Sequence, residues 1–321
     1  VIEAIRGIDG PLMILGVGGK MGPTLAWMGA RAAQAAGKPI EVLGVSRFGE
    51  AGLRERLEAR GVRTIACDLL DEAALAALPD APNIVYMAGH KFGASANQPL
   101  TWAMNTFLPG LVARRYAGAR VVAFSSGNVY PLVPVASGGA TEETAPDPVG
   151  EYAMSVLGRE RILAYWADRL RSPTLLLRLN YAAELRYGVL LDVAQRVWRG
   201  EPVDVTMGHA NVIWQGDANA AALQALALAD VPPVPLNLTG PETIAVRGLA
   251  EEFGRLLDRE PHIVGEEQPT ALLSNARRAH GAFGYPRVPL GRAIAWVADW
   301  VRSGGPTLDK PTKFQVRDGR F

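Results

Sequence analysis

The stretch Leu12-Met13-Ile14-Leu15-Gly16-Val17-Gly18-Gly19-Lys20-Met21-Gly22 decides how this chain is read. Residues 12–17 form a short, mostly apolar run of the kind that makes a strand buried on both faces. The glycines at 16, 19 and 22 then lead into an Ala-rich helical pattern that continues through Ala36. Glycines so placed allow a tight turn, let backbone N–H groups approach a pyrophosphate, and bring the helix close to the strand. A Gly-rich turn by itself is often loop punctuation. One that leaves a strand and opens a helix at the first βα junction predicts a dinucleotide site, formed here by Gly16, Gly18, Gly19, Lys20, Met21 and Gly22.

Outward from that turn the alternation continues. Residues 41–45, 63–66, 83–87 and 120–124 read as further strands, with helices predicted over 52–60, 71–78 and 99–116. Apolar strands separated by helices imply a parallel sheet covered on both sides, and right-handed crossovers make it a doubly wound α/β (Rossmann) fold. A polar loop after Ser137-Gly138-Gly139 precedes a long helix starting near Val149 and a sixth strand over 174–179. Beyond it the pattern loosens into helices at 190–199, 217–229, 246–257 and 290–301, with a short strand at 236–238. The expected organisation is a dinucleotide-binding domain over 1–180, to which 205–240 returns, and a smaller substrate lobe from 181–204 and 241–321. The Gly-, Pro- and charge-rich tail from Gly304 is expected to wrap the surface.

The bulk properties narrow the function classes. A chain of 321 residues with 49% hydrophobic residues has enough material for a large core. Its 33 basic and 32 acidic residues nearly cancel, which argues against a nucleic-acid footprint or a polybasic membrane surface. Cys67 is the single cysteine, so neither an internal disulfide nor a multi-cysteine metal site exists. His90, His209, His262 and His280 are scattered without ligand spacing, and no metal is expected. No apolar run is long enough to span a bilayer and residues 1–11 lack a signal-peptide core, so a cytoplasmic protein is expected.

The second strand ends in Val45-Ser46-Arg47, where an adenosine ribose lies in such folds. A carboxylate there bonds the 2′-hydroxyl of NAD, whereas an Arg accommodates the 2′-phosphate of NADP. With Ser46 and Arg47 in place of an acid, NADP is the expected cofactor and NAD remains possible. Arg47 also reads as an ordinary solvated residue.

From strand three onward the motifs follow an order. Cys67-Asp68-Leu69 is followed by Val85-Tyr86-Met87-Ala88-Gly89, Asn97-Gln98-Pro99 and Asn105. Then come Ser125-Ser126-Gly127-Asn128-Val129-Tyr130, Tyr152 with Glu160, and Leu236-Asn237-Leu238-Thr239-Gly240-Pro241-Glu242. This series resembles the extended short-chain dehydrogenase/reductase family, of the NAD(P)-dependent epimerase/dehydratase kind, over nearly the whole chain. The resemblance implies that Asp68 and Leu69 lie at adenine, that Met87, Ala88, Gly89 and Asn105 lie beside the cofactor, that Ser126 bonds the substrate oxygen, and that Tyr152 is the general acid/base and touches the cofactor. Hydride transfer at a carbinol carbon needs a proton moved on the adjacent oxygen, and a phenol titrating near ~10 does this only when its ionisation is eased. In the family a lysine four residues on, one helical turn away, supplies the charge.

Here the segment reads Tyr152-Ala153-Met154-Ser155-Val156, so valine stands where the resemblance calls for lysine. Three readings compete. Lys91, following His90 at the end of strand four, supplies the missing charge; or the cofactor itself does and turnover is slow; or the protein binds NADP without redox chemistry and acts as a sensor or regulator. Lys91 also reads as an ordinary loop lysine.

Dehydratases of the resembled family carry an acidic pair where this chain has Gly127 and Asn128, so a sugar-nucleotide dehydratase is disfavoured. The Arg that clamps a sugar diphosphate corresponds to Ala210, beside His209, which favours a small sugar, sugar acid or hydroxy/keto acid. The side chains expected around the substrate are His90, Lys91, Ser126, Asn128, Asn180, Tyr181 and Arg186. Trp102, Met104 and Phe107, with Tyr152, Val156 and Tyr165, lie on two helices that pair between subunits in many members of that family. A homodimer is therefore expected, with core packing as the alternative.

Overall fold

The computed structural model describes residues 1–320. Seven strands form its central sheet: β1 (Leu12–Leu15), β2 (Val42–Ser46), β3 (Arg63–Ala66), β4 (Asn83–Tyr86), β5 (Arg120–Ser126), β6 (Thr174–Leu179) and β7 (Val234–Leu238). Their order is β7-β6-β5-β4-β1-β2-β3, and the pairs β1–β2, β2–β3, β1–β4 and β4–β5 are parallel. The reversal of direction at β1 creates the crevice at the carboxyl ends of β1 and β4 in which ligands of doubly wound folds bind. All four residues of β1 and of β4 are buried, which accounts for the apolar runs Leu12–Leu15 and Ile84–Tyr86, while the buried Asn83 side-chain amide donates to the Asp9 carbonyl.

The chain forms two compact units. The first comprises Val1–Ser126, Gly150–Arg178 and Asn219–Leu236. It contains the helices α1 (Ile2–Arg6), α2 (Gly22–Ala36), α3 (Leu53–Glu58), α4 (Glu72–Ala76), α5 (Gln98–Trp102), α6 (Leu108–Arg115) and α7 (Gly150–Leu170). The sequence suggested one helix over 99–116. The structure instead places a π-helical turn, Ala103–Phe107, between α5 and α6.

The second unit comprises Gly127–Val149, Leu179–Ala218 and Asn237–Phe321. Its core is built by α8 (Val189–Arg199), α10 (Val246–Leu257) and α12 (Leu290–Arg302), with Val193, Val197, Leu249, Phe253 and Val297 buried together, and the unit also holds the start of α9 (Gln215–Gln224) and α11 (Arg277–Phe283). Segment 127–149, expected with the sheet domain, belongs to this second unit. The cause is a pairing distant in sequence: Val133 and Pro134 pair antiparallel with Ala271 and Thr270. The tail is likewise tied down rather than merely draped. Thr312 donates from its amide to Asp192, Arg317 donates to the Thr270 carbonyl, and Phe314 is buried in the core of this unit.

Helix α7 is fixed to the sheet by a buried ion pair. Arg178 of β6 donates to both oxygens of Glu160, at 2.9 and 2.7 Å, and Ser125 of β5 donates to the same carboxylate. The two charged side chains are 7% and 3% exposed. Such a pair adds little over an apolar replacement, but stranding one member costs about 3–5 kcal/mol. Arg178→Met should therefore lower stability by about that amount in urea unfolding. Adding Glu160→Leu should recover most of the loss. Equal stability of the single and double variants would rule this account out.

Candidate functional site

The glycine loop has the geometry its spacing predicts. Gly16 has φ +91°, and a Cβ there would lie 2.6 Å from the Ala88 amide nitrogen. A Cβ on Gly18 would meet Ser46 Oγ at 2.4 Å, and one on Gly22 would meet the Val17 carbonyl at 2.2 Å. A Cβ on Gly19 would press on the Gly16 carbonyl at 3.4 Å. The turn thus brings together Gly16, Gly18 and Gly22 from the first βα junction, Ser46 from β2 and Ala88 after β4. Met21 is the N-cap of α2, with no side-chain cap and no acidic residue in the first turn. Its leading N–H groups and the positive end of the helix dipole suit a diphosphate. Lys20 lies with its ammonium 4.9 Å from the centre of the Phe92 ring.

Around this loop Ser46 is half-buried and its Oγ accepts from the Phe48 amide, while Arg47 is exposed. Asp68 is exposed and accepts from the Leu70 amide. The Leu69 side chain packs in the core of the first unit, which leaves its backbone as the part next to Asp68 that can meet an adenine. Met87 is half-buried and bonds to β1 through its amide, and Ala88 is buried.

Asn105 lies in the π-helical turn, fully buried. Its amide nitrogen donates to the His90 carbonyl and to Ser155 Oγ, both at 2.9 Å, and its oxygen accepts from the His90 amide and from Arg159. All four of its hydrogen-bonding positions are therefore used. Asn105 shapes the end of β4 by holding His90 rather than by reaching outward itself. His90 Nδ1 lies 3.0 Å from Thr101 Oγ1.

Ser126 ends β5 and Tyr152 lies in the first turns of α7, and the two side chains are hydrogen-bonded. Burial pushes the Tyr152 phenol above its ordinary value, while the Arg159 charge and the Ser126 bond pull it the other way. The Lys91 ammonium lies over the Tyr152 ring, 5.4 Å from its centre. Ser126, Tyr152 and Lys91, read separately from the sequence, are thus one cluster. Val156 and Tyr152 are turned inward rather than onto an exposed helix face: Val156 is fully buried, because residues 153, 156, 160, 163 and 167 form the inner face of α7. Trp102, Phe107 and Tyr165 do remain exposed.

The second unit carries Asn128, Asn180, Tyr181 and Arg186. Asn180 is buried, donates to the Leu272 carbonyl, and its own carbonyl accepts from Thr239. Tyr181 adopts φ +44° and packs against the core of that unit. Arg186 is engaged by Glu184 at 3.0 Å. Two residues escaped sequence reading. Ser274 is buried, its Oγ lacks a partner among the described residues, and it would lie 3.0 Å from a Cβ at Gly127. Arg159 is 6% exposed and appears in sequence as one more charge on a long helix.

Residues 12–206 match the model of the NAD dependent epimerase/dehydratase family. The chain belongs to that family, and with it to a class of NAD-using enzymes. No curated protein sequence matches it. Among solved structures it is similar to DesIV, a dTDP-glucose 4,6-dehydratase from Streptomyces venezuelae with NAD bound, at 18% identity and a TM-score of 0.76 over 91% of this chain and 97% of that one. It is also similar to UDP-glucose 4-epimerase from Thermotoga maritima, at 17% identity and a TM-score of 0.74, covering 92% and 99%. UDP-glucuronic acid 4-epimerase from Bacillus cereus, in complex with UDP-glucuronic acid and NAD, gives 15% identity and 0.74, covering 91% and 99%. These likenesses are of fold.

The crowding at Gly22 leads to a direct test. Gly22→Val places side-chain carbons against the Val17 carbonyl and must open the loop. NADH and NADPH affinity should both fall at least ~10-fold in a fluorescence titration, a loss of about 1.4 kcal/mol, with far-UV circular dichroism unchanged. Undiminished binding would separate the loop from the cofactor.

Proposed function

We propose that this enzyme oxidises or reduces, or epimerises through such a step, a hydroxyl-bearing carbon of a small sugar, sugar acid or hydroxy/keto acid. The observation that carries this reading is the Ser126–Tyr152 hydrogen bond at the carboxyl end of the sheet. A bound nicotinamide supplies the hydride acceptor or donor. Ser126 orients the substrate oxygen, and Tyr152 Oη takes the hydroxyl proton in oxidation or returns one to the carbonyl in reduction. His90 and Lys91 face the same end of β4 and contact substrate or nicotinamide ribose. Asn128, Asn180, Tyr181 and Arg186 are further substrate candidates by the family resemblance, and the buried Ser274 hydroxyl, without a partner among the described residues, suits a substrate oxygen.

Two features support a small substrate that is not dehydrated. Position 210 is a buried alanine paired with Ile244, which offers no guanidinium to a diphosphate. Position 127 has no space for a carboxylate, since even a Cβ would sit 3.0–3.2 Å from Ser274 and Asn180. NADP is the proposed preference, on the exposed Arg47 at the end of β2 with no acid beside it. The exposed Trp102, Phe107 and Tyr165 support a homodimer.

A screen of sugars and sugar acids with NADP and NAD identifies the substrate. Tyr152→Phe should then lower kcat by about 10²–10⁴-fold and leave cofactor affinity within a factor of two or so. Retained turnover would remove Tyr152 from the chemistry. Because the phenol is held above its ordinary value, it is protonated at neutral pH. Oxidation, which needs the phenolate, should accelerate as pH rises, and reduction should weaken on the alkaline side. For the cofactor, Arg47→Ala should weaken NADPH binding about 10-fold and leave NADH nearly unchanged. A parallel loss of both would withdraw the 2′-phosphate reading.

A further inference from the structure

Arg159 is a buried cation without a counter-ion. Its Nη1 donates to the Phe124 carbonyl at 2.6 Å, its Nη2 to Asn105 Oδ1 at 2.9 Å, and its Nε to the Asn105 carbonyl at 3.3 Å. Each acceptor is neutral. Glu160, the next residue, is spent on Arg178 and Ser125. Among the described residues no carboxylate lies within 4.0 Å of the Arg159 guanidinium, whereas Arg178 has one. Buried arginines are ordinarily paired, because an unneutralised charge is costly away from water. A fold that keeps one unpaired leaves its field directed at whatever lies nearby.

What lies nearby is Tyr152. Seven residues make almost two full helical turns, so Tyr152 and Arg159 share a face of α7, about 10 Å apart along the axis. Helical side chains lean toward the N-terminus, which carries the long Arg159 chain back toward the tyrosine. Val156 stands between them on that inner face, fully buried. The opening for the guanidinium is made by Gly89, where a Cβ would come within 2.6 Å of Nη2. A lysine at 156 would put a second buried cation beside the first. The apolar residue at 156 and the buried cation at 159 thus form one arrangement.

We propose that Arg159 is the positioning residue that replaces the absent lysine, supplying from the core of the first unit the fixed positive charge against which Tyr152 gives up and regains its proton. This rests on the acid/base reading of Tyr152. The groups facing the phenol are Ser126, hydrogen-bonded to it, Lys91 over its ring, and Arg159; His90 is turned to Thr101, and Glu151 accepts from Trp102. Lys91 is half-exposed, so solvent and salt screen its charge more than they screen the buried Arg159. Arg159 also approaches a second phenol, its guanidinium 5.5 Å from the Tyr86 ring. Tyr86 donates to the Met104 carbonyl, and burial holds it up at about 12, which keeps it out of the working range.

The test reads Tyr152 directly, with no substrate needed. Tyrosinate absorbance is titrated against pH in the full-length protein and in its Tyr152→Phe partner, and the difference isolates Tyr152. Arg159→Met should move that titration upward by a unit or more, and Arg159→Lys should return part of the shift. Val156→Lys combined with Arg159→Met should return it too, as a merely structural role for Arg159 would not. Lys91→Met should move it less than Arg159→Met does. An unmoved titration in folded Arg159→Met, or a larger shift from Lys91→Met, would overturn the proposal. Should Arg159→Met fail to fold, the comparison of Arg159→Lys with Lys91→Met decides the question by the same criterion. Turnover by Tyr152→Phe is a separate result: it removes the acid/base reading without touching which cation governs the phenol.

Discussion

Glu160 holds α7 against the sheet through two donors from neighbouring strands, Ser125 on β5 and Arg178 on β6. The carboxylate is inaccessible to water, so its bonds are not traded for solvation as the helix fluctuates, and the helix has one seating rather than several. Everything at its N-terminal end inherits that seating. Tyr152 meets Ser126 because Ser125, one residue earlier on the strand, is already bound to Glu160 two turns further along the helix. The hydroxyl pair at the site is in effect the far end of a lever whose fulcrum is an ion pair.

The same helix explains how the chain departs from its family's usual arrangement without losing a charged interior. Its inner face must pack on a sheet, which favours Val156, and must also carry polarity to the end of β4, which Arg159 does through Asn105. Asn105 in turn fixes both the amide and the carbonyl of His90. One amide side chain therefore connects the helix, the strand end and the loop that bears Lys91. The cost of burying so much polarity is offset because the donors and acceptors meet in pairs.

The sheet was legible because its strands are buried on both faces and therefore read as apolar runs bounded by turns. Helices α8, α10 and α12 were legible for the complementary reason, a single apolar stripe each. The two-residue strands, such as Val133–Pro134, were not, since their pairing partners lie far away in sequence and leave no local period. At the candidate site, the glycine loop, Ser126 and Tyr152 could be picked out as candidates because chemistry restricts which residues serve in such places. Arg159 was missed because a lone arginine on a helix with surface charges has no mark of burial. Ser274 was missed because its setting beside Gly127 and Asn180 exists only in three dimensions. For a related reason the place of Leu69 in a motif said nothing about its side chain, which is buried in the core.

The π-helical turn at Ala103–Phe107 carries a consequence for counting. Such a turn is equivalent to one residue inserted into an α-helix, and everything after it is rotated by about 100° relative to a regular continuation. Leu100 and Trp102 on one side of it and Leu108 and Val112 on the other therefore belong to two different periodicities, and no single helical wheel drawn through 98–115 describes both. An alignment of this chain with a relative whose helix is regular needs a one-residue gap there. Without the gap, every position beyond Asn105 in that helix is compared with the wrong neighbour.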